Sequence, residues 1–361
     1  MSTTIHELTT PAVLVDRVRT ERNIRAMQAH CDAHGVELRP HVKTHKMIEI
    51  ARRQVAAGAK GLVAAKLGEA EALLQAQPKE FFIAYSLVDP AQAPRVAALA
   101  EQLSELRVAA TSADQATALE RVAKKAGRRL GVMMAVDTGL GREGVRDLAS
   151  AQALAVQIGR STQLELKGFY SHEGHLYGAS RAEEPARAEA VLDKLCCVRD
   201  AIDAALPVWP GCSVNAWQAA ASGRVQAVRP GAYLFGDLAL SQVCGVMAWS
   251  DVAVTVWATV LDKPEAGLAL IDAGSKVFSS DRTAAGVSGA TAERDGIEVF
   301  RVNEEHGYVR GPGVDALRVG DRLRFVPAHV CTVINLTDKV IVVEDERVVD
   351  TWTVDARGCV Q

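Results

Sequence analysis

Val36-Glu37-Leu38-Arg39-Pro40-His41-Val42-Lys43-Thr44-His45-Lys46, followed by Met47-Ile48-Glu49-Ile50-Ala51-Arg52-Arg53-Gln54, is the stretch whose reading decides the fold. Its first half reads as a strand over Val36–Val42, and its second half carries helical periodicity. Lys43 then falls at the C-terminal mouth of a strand that leads into a helix, which is where α/β barrels place their chemistry. His41 and His45 flank it, so a cationic, partly desolvated pocket is expected. Like charge and burial both lower a lysine's pKa, the property an imine-forming amine requires. The same residues also read as a basic turn with no chemistry.

Outward from this stretch, β-rich runs lie at Val36–Val42, Gly61–Ala65, Phe81–Ser86, Leu106–Ala110, Leu130–Val136, Leu164–Ser171, Val208–Val214 and Val225–Arg229. Helical stretches alternate with them; in Arg17–His34, Ile24, Met27 and Cys31 share one face. Eight strands with intervening helices predict an α/β chain built on a (β/α)8 barrel, while an open doubly wound sheet satisfies the same pattern. The pattern changes near Gly245. Val252–Leu261, Leu268–Ile271, Ile297–Val302, Arg322–Phe325 and Val340–Val343 read as strands separated by Gly, Pro and Asp turns. We therefore expect a barrel over residues 17–244 and a β-rich C-terminal domain over 245–361, joined by the early strand within residues 1–16.

The composition narrows the function classes. A formal net charge of −3 over 361 residues leaves no basic footprint for nucleic acid. No apolar run approaches the roughly 18 residues of a membrane helix, and the start lacks the pattern of a signal peptide, so a cytoplasmic location is expected. Seven cysteines at irregular positions (31, 196, 197, 212, 244, 331 and 359) form no disulfide framework.

Four further segments carry candidate chemistry. Asp137-Thr138-Gly139-Leu140-Gly141-Arg142 follows a strand, and its glycines permit a tight turn that aims Arg142 over the barrel mouth; a guanidinium suits a phenolate or carboxylate. Tyr170-Ser171-His172-Glu173-Gly174-His175 ends another strand and offers an aromatic wall plus His172 or His175 as an acid–base group. Ser213-Val214-Asn215 and Arg229-Pro230-Gly231-Ala232-Tyr233 follow the last two barrel strands, where phosphate is often held. In His329-Val330-Cys331, read as a strand, residues i and i+2 face the same side, so imidazole and thiolate could grip one ion, most plausibly zinc. Two protein ligands leave positions open, a catalytic geometry. Each segment also has an ordinary reading, as a solvated turn or a buried Cys beside a half-exposed His.

Taken together, these segments resemble the fold-type III pyridoxal-phosphate enzymes, in the branch of D-threonine aldolase and metal-dependent D-serine dehydratase. The resemblance runs from Thr10-Pro11-Ala12-Val13-Leu14-Val15-Asp16 to Trp352-Thr353-Val354-Asp355-Ala356-Arg357-Gly358. Its sharpest motif is Arg39–Lys46; others are Asp272-Ala273-Gly274-Ser275-Lys276, Glu305-His306-Gly307 and Pro327-Ala328-His329-Val330-Cys331. It implies an alanine-racemase-like barrel with pyridoxal 5'-phosphate at its mouth, bound through a Schiff base to Lys43. Beside it stand His41, Arg142 near the phenolic oxygen and Tyr170 by the ring. Ser213, Asn215, Gly231 and Tyr233 lie on the phosphate side.

His329 and Cys331 match the family's divalent metal pair, with zinc or manganese as the ion. A homodimer is implied, because partner β domains in such folds cap each other's barrels. The expected activity is a lyase reaction on D-configured β-hydroxy-α-amino acids: retro-aldol cleavage to glycine and an aldehyde, with dehydration to a 2-oxo acid and ammonia as the alternative. Cys331 matches dehydratase members, and the following Thr332–Asp338 matches the aldolase side. Racemase chemistry and a non-catalytic pyridoxal-phosphate-binding role are the remaining readings.

Overall fold

The computed structural model describes residues 3–178, 183–293 and 296–361. The chain divides into two compact units, one of residues 25–43, 48–231 and 358–361 and the other of residues 1–24, 44–47 and 232–357. In chain order, β1 (Ala12–Asp16) is followed by the strands of the first unit: β2 (Glu37–Leu38), β3 (Leu62–Ala64), β4 (Glu80–Ser86), β5 (Glu105–Ala110), β6 (Leu130–Ala135), β7 (Leu164–Tyr170), β8 (Val208–Trp209) and β9 (Ala227–Val228). Strands β3 to β8 form a six-stranded sheet in sequence order, and β2 pairs β9. All of these pairings are parallel.

Helices pack between the strands, and their ends are written locally. In Ala113–Ala126, Ser112 Oγ accepts from Gln115 N, Ala116, Leu119 and Val122 are buried, and Gly127 ends the helix at φ +65. The strands are apolar because both faces are covered. Val63, Phe82, Ala109, Met133, Ala135, Tyr170, Trp209 and Ala227, drawn from β3 to β9, make one buried cluster. Arg39 and Arg107 lie over the Trp209 ring, 4.3 and 4.8 Å from its centroid, and Glu80 pairs with both guanidiniums.

Three strands are shorter than the sequence suggests. The runs expected over Val36–Val42, Val208–Val214 and Val225–Arg229 stop at Leu38, Trp209 and Val228, just ahead of Pro40, Pro210 and Pro230. Proline has no N–H for the ladder and fixes its own φ. Its carbonyl still accepts: Val63 N donates to Pro40 O at 2.9 Å, Arg229 N to Pro210 O at 3.1 Å and His41 N to Pro230 O at 2.9 Å. Lys43 consequently leaves from a 3-10 turn, Val42–Thr44, rather than from a strand end.

The second unit is antiparallel apart from one pairing. It contains β1 with β10 (Val254–Glu265), β11 (Leu268–Ile271), β12 (Gly289–Thr291), β13 (Glu298–Val302), β14 (Gly307–Arg310), β15 (Arg322–Pro327), β16 (Lys339–Glu344) and β17 (Arg347–Thr353). The order is β11-β14-β13-β12-β15-β10-β1-β16-β17, and a further pairing of β11 with β10 closes the first six into a ring. β1 lies between β10, antiparallel, and β16, parallel, so the early strand joins the β-rich unit. His329-Val330-Cys331 is not a strand: His329 is the N-cap of the helix Val330–Leu336. Val330, Val333 and Ile334 are buried at helical spacing, which outweighs the β propensity of the run. Among the described residues no helix is long and apolar enough to cross a membrane.

Candidate active site

Lys43 sits half-buried in its turn, with its backbone N–H 3.4 Å from His41 Nδ1. The turn after β6 belongs to the same unit. Asp137 Oδ1 accepts from Gly139 N and Gly141 N, both at 3.0 Å, which folds the loop back and presents the exposed Arg142. Burial works the other way, but these two bonds, with Lys194 and Arg146, hold the Asp137 carboxyl below the usual range. Arg142, Glu143, Leu140, Tyr170 and His172 line one small cleft.

His172 is defined by its surroundings. Its Nδ1 is 2.8 Å from Gly211 O. A carbonyl only accepts, so Nδ1 carries the proton and the neutral ring keeps its lone pair on Nε2. Burial, then the Lys43 ammonium, then Arg142 and Arg229 push the imidazole down to about 3, against the Gly211 bond. Gly211 is itself clamped. Its N–H donates to Glu173 Oε2 at 3.0 Å, and a Cβ on it would lie 2.3 Å from Arg229 Nη2. Ser171 Oγ donates to Glu173 Oε1, while Arg229 donates to Trp209 O and Ser171 O. The guanidinium stands 5.0 Å from the Tyr170 ring centroid. Burial, reinforced by Glu143, pushes the Tyr170 phenol up, so Tyr170 stays neutral.

His175 stands apart from this group. It lies in the turn Gly174–Gly178 against the Asp137–Gly141 loop, where a Cβ on Gly139 would come 3.2 Å from its Nε2. Its Nδ1 is buried with no hydrogen-bond partner among the described residues, and burial lowers its pKa.

After β8 and β9, Ser213 Oγ accepts from Gly231 N at 3.2 Å, which ties the two loops together. Asn215 is buried, and neither its Oδ1 nor its Nδ2 has a hydrogen-bond partner among the described residues; the Tyr170 hydroxyl is in the same position. Orphaned buried polar groups normally mark a missing partner. An aromatic aldehyde with a phenolic oxygen and a phosphate suits this set, so the residues fit the pyridoxal phosphate expected above. Tyr233, buried in the turn Ala232–Leu234, follows Gly231 by two residues.

In the β-rich unit, the helical turn still brings His329 and Cys331 together, because the N-cap residue is extended and Cys331 is the second helical residue. The thiol and imidazole are hydrogen-bonded. Burial alone would lower the imidazole, yet Cys331, Asp237 and Asp281 push it up to about 10. Thr44, the residue after Lys43, places Oγ1 3.2 Å from Cys331 Sγ. Among the described residues no group of three or more His, Cys, Asp or Glu side chains gathers to hold a metal. An imidazole and a thiol in contact fit a soft divalent ion with open positions.

Sequence reasoning gave no role to Glu173, Arg229, Thr44 or Asp281. Glu173, Arg229 and Thr44 stand inside the quoted motifs, with nothing in their local pattern to single them out. Thr44 and Asp281 are brought to Cys331 and His329 by tertiary contacts that no local pattern encodes.

Comparison with known proteins bears on the same residues. Residues 15–239 match the alanine racemase N-terminal domain, and residues 253–343 match a serine dehydratase domain. The chain is 33% identical to a D-threonine aldolase from an Arthrobacter species over 97% of this chain and 93% of the relative. It is 33% identical to a D-threo-3-hydroxyaspartate dehydratase from a Delftia species over 92% of this chain and 93% of that one. The crystal structure of D-threonine aldolase from Filomicrobium marinum superposes with a TM-score of 0.89 at 27% identity, covering 100% of this chain and 98% of the other.

Proposed function

Given that the chain belongs to the fold-type III pyridoxal-phosphate enzymes, in the branch of D-threonine aldolases and D-serine dehydratases, and is therefore a pyridoxal-phosphate-dependent lyase, we propose that it cleaves D-β-hydroxy-α-amino acids to glycine and an aldehyde. The observation that carries this reading is the neutral His172, with Nδ1–H fixed on Gly211 O beside Lys43 and Arg142. Retro-aldol cleavage needs a base for the β-hydroxyl proton, and a tautomer with its lone pair on Nε2 supplies one. The Lys43 charge is one cause of the low pKa, so loss of that charge makes His172 more basic. His172 is favoured over His175, which packs on Gly139 outside the cleft.

Bound pyridoxal phosphate supplies an electron sink for charge that develops at the substrate α-carbon. Lys43 would contribute the ε-amine that holds it, with His41 next to the lysine turn. Arg142 offers a guanidinium to the phenolic oxygen. Tyr170, kept neutral, would flank the ring, and Ser213, Asn215, Gly231 and Tyr233 would offer hydroxyl, amide and backbone donors to the phosphate. His329 and Cys331 would hold the divalent metal, zinc in preference to manganese because thiolate is a soft donor; its Lewis acidity would bear on the β-hydroxyl.

The eight strands β2 to β9 are further inferred to close into a (β/α)8 ring. The bonds from Val63 N to Pro40 O and from Gln226 N to Val208 O, at 2.9 and 3.2 Å, support that closure. A homodimer is part of the same reading.

Cys331 favours a second reading, dehydration to a 2-oxo acid and ammonia, with Lys43 taking the α-proton. Incubation with D-threonine, pyridoxal phosphate and zinc separates the two. Acetaldehyde and glycine are expected; 2-oxobutanoate and ammonia would transfer the assignment to the dehydratase. Appearance of L-threonine or an allo isomer without breakdown would overturn both.

A further inference from the structure

We propose that Asp281 is the positioning residue of the metal pair, fixing which nitrogen of His329 faces the ion. The inference rests on the reading of His329 and Cys331 as metal ligands and goes beyond it. A metal-bound imidazole uses one nitrogen for the ion, and the other must be held if the ring is to keep its orientation. Asp281 Oδ2 lies 2.7 Å from His329 Nδ1. A carboxylate oxygen accepts, so Nδ1 keeps its proton, and Nε2 is the nitrogen left to coordinate.

Asp281 is held in turn. Its backbone N–H donates to Ser279 Oγ at 3.1 Å, and Ser279 Oγ donates to Thr332 Oγ1 at 3.0 Å. The Thr332 hydroxyl is 3.1 Å from both Asp281 Oδ2 and His329 O. Ser279 adopts φ +66 and ψ −171 directly after the short helix Ser275–Phe278. A residue with a Cβ rarely adopts this conformation, and it persists only where surrounding bonds over-determine it. Here the turn delivers Asp281 to the imidazole.

The other carboxylate near the ring, Asp237, is not a rival. Its Oδ1 accepts from Leu240 N and its Oδ2 from Val330 N, at 3.0 and 3.1 Å, so both oxygens are committed to backbone, one of them at the start of the helix that carries Cys331.

The test is zinc affinity of the pyridoxal-phosphate-loaded enzyme, measured by competition with a chromophoric chelator, for the native protein, Asp281→Ala, Asp281→Asn and His329→Ala. Loss of an outer-shell partner of a metal-bound histidine costs about 10- to 100-fold in affinity, and that weakening is expected for D281A. D281N should recover most of it, because the amide oxygen can accept the same Nδ1–H. Retention of the visible cofactor absorbance in each variant reports that it is folded. A purely structural role would lower thermal stability and leave zinc affinity unchanged. H329A weakened with D281A within twofold of native overturns the role of Asp281 alone. H329A binding zinc as tightly as native protein overturns the metal pair and the proposal with it.

Discussion

His172 shows how much of a residue's chemistry is set by what surrounds it. Its ring is identical to that of any other histidine, but burial and the neighbouring cations of Lys43, Arg142 and Arg229 push it down to about 3. In the unfolded chain it returns to about 6.5. As pH falls below 6.5, the unfolded state therefore takes up a proton that the folded state refuses until about 3. Stability from this group is full above pH 6.5 and declines through the window down to about 3. At about 1.4 kcal/mol per pH unit, the decline amounts to about 2 kcal/mol between pH 6.5 and 5. His172→Asn keeps a donor for Gly211 O and removes the titration. Urea unfolding of the cofactor-free protein at pH 7 and pH 5 should show the native protein losing more stability than H172N by about that amount. Equal losses would show that the ring already titrates as it does in solvent.

At the scale of elements, Glu80 at the start of β4 is a comparable case with the same direction of pH dependence, built on a charged rather than a neutral group. Burial would raise its pKa, but Arg39 and Arg107 hold the carboxyl below the usual range. Its contribution to stability is present above the ordinary glutamate pKa of about 4.3 and is lost as pH falls through the folded value. Glu80→Gln removes the carboxylate shared by Arg39 and Arg107 and leaves each with one acidic partner, Glu37 and Glu105, so it should cost about 2 kcal/mol at pH 7. The gap between native and variant, followed by circular dichroism during acid titration, should narrow once pH falls below the ordinary glutamate range; a gap that persists at the acid limit would mean that the amide, not the missing charge, is at fault.

The same strand marks what the sequence reveals at this scale. Its apolar run is legible as Phe81–Ser86, but nothing local announces that Glu80 meets Arg39, just after β2, and Arg107 of β5. The alternation of strands and helices, the Lys43 turn and the late β-rich stretch are all legible, being carried by periodicity. Strand ends are not: Pro40, Pro210 and Pro230 stand in plain view, but apolar neighbours outweigh them until the ladder is seen to stop. The helix at Val330 was equally visible in the spacing of Val330, Val333 and Ile334, and was masked by the β-branched composition of the run.

For the whole molecule, the division of labour is the testable feature. Lys43, Arg142, Tyr170, His172 and the Ser213–Gly231 loops belong to one compact unit, and His329, Cys331, Asp281 and Thr44 belong to the other. Each set is held by bonds within its own unit: Gly211 and Glu173 for His172, and Asp281, Ser279 and Thr332 for His329. Cofactor and metal should therefore be lost separately. Lys43→Ala should abolish the visible imine absorbance and the pyridoxyl label fixed by borohydride, while zinc affinity stays within a few-fold of native. His329→Ala should keep both cofactor signals and lose zinc. On the proposed function both variants should be inactive as lyases, because that reaction would need both the electron sink and the Lewis acid. Chelation of native enzyme should copy H329A, and added zinc should reverse it. The separation fails if K43A also loses zinc, which would mean that the lysine turn supports the metal pair through the adjacent Thr44.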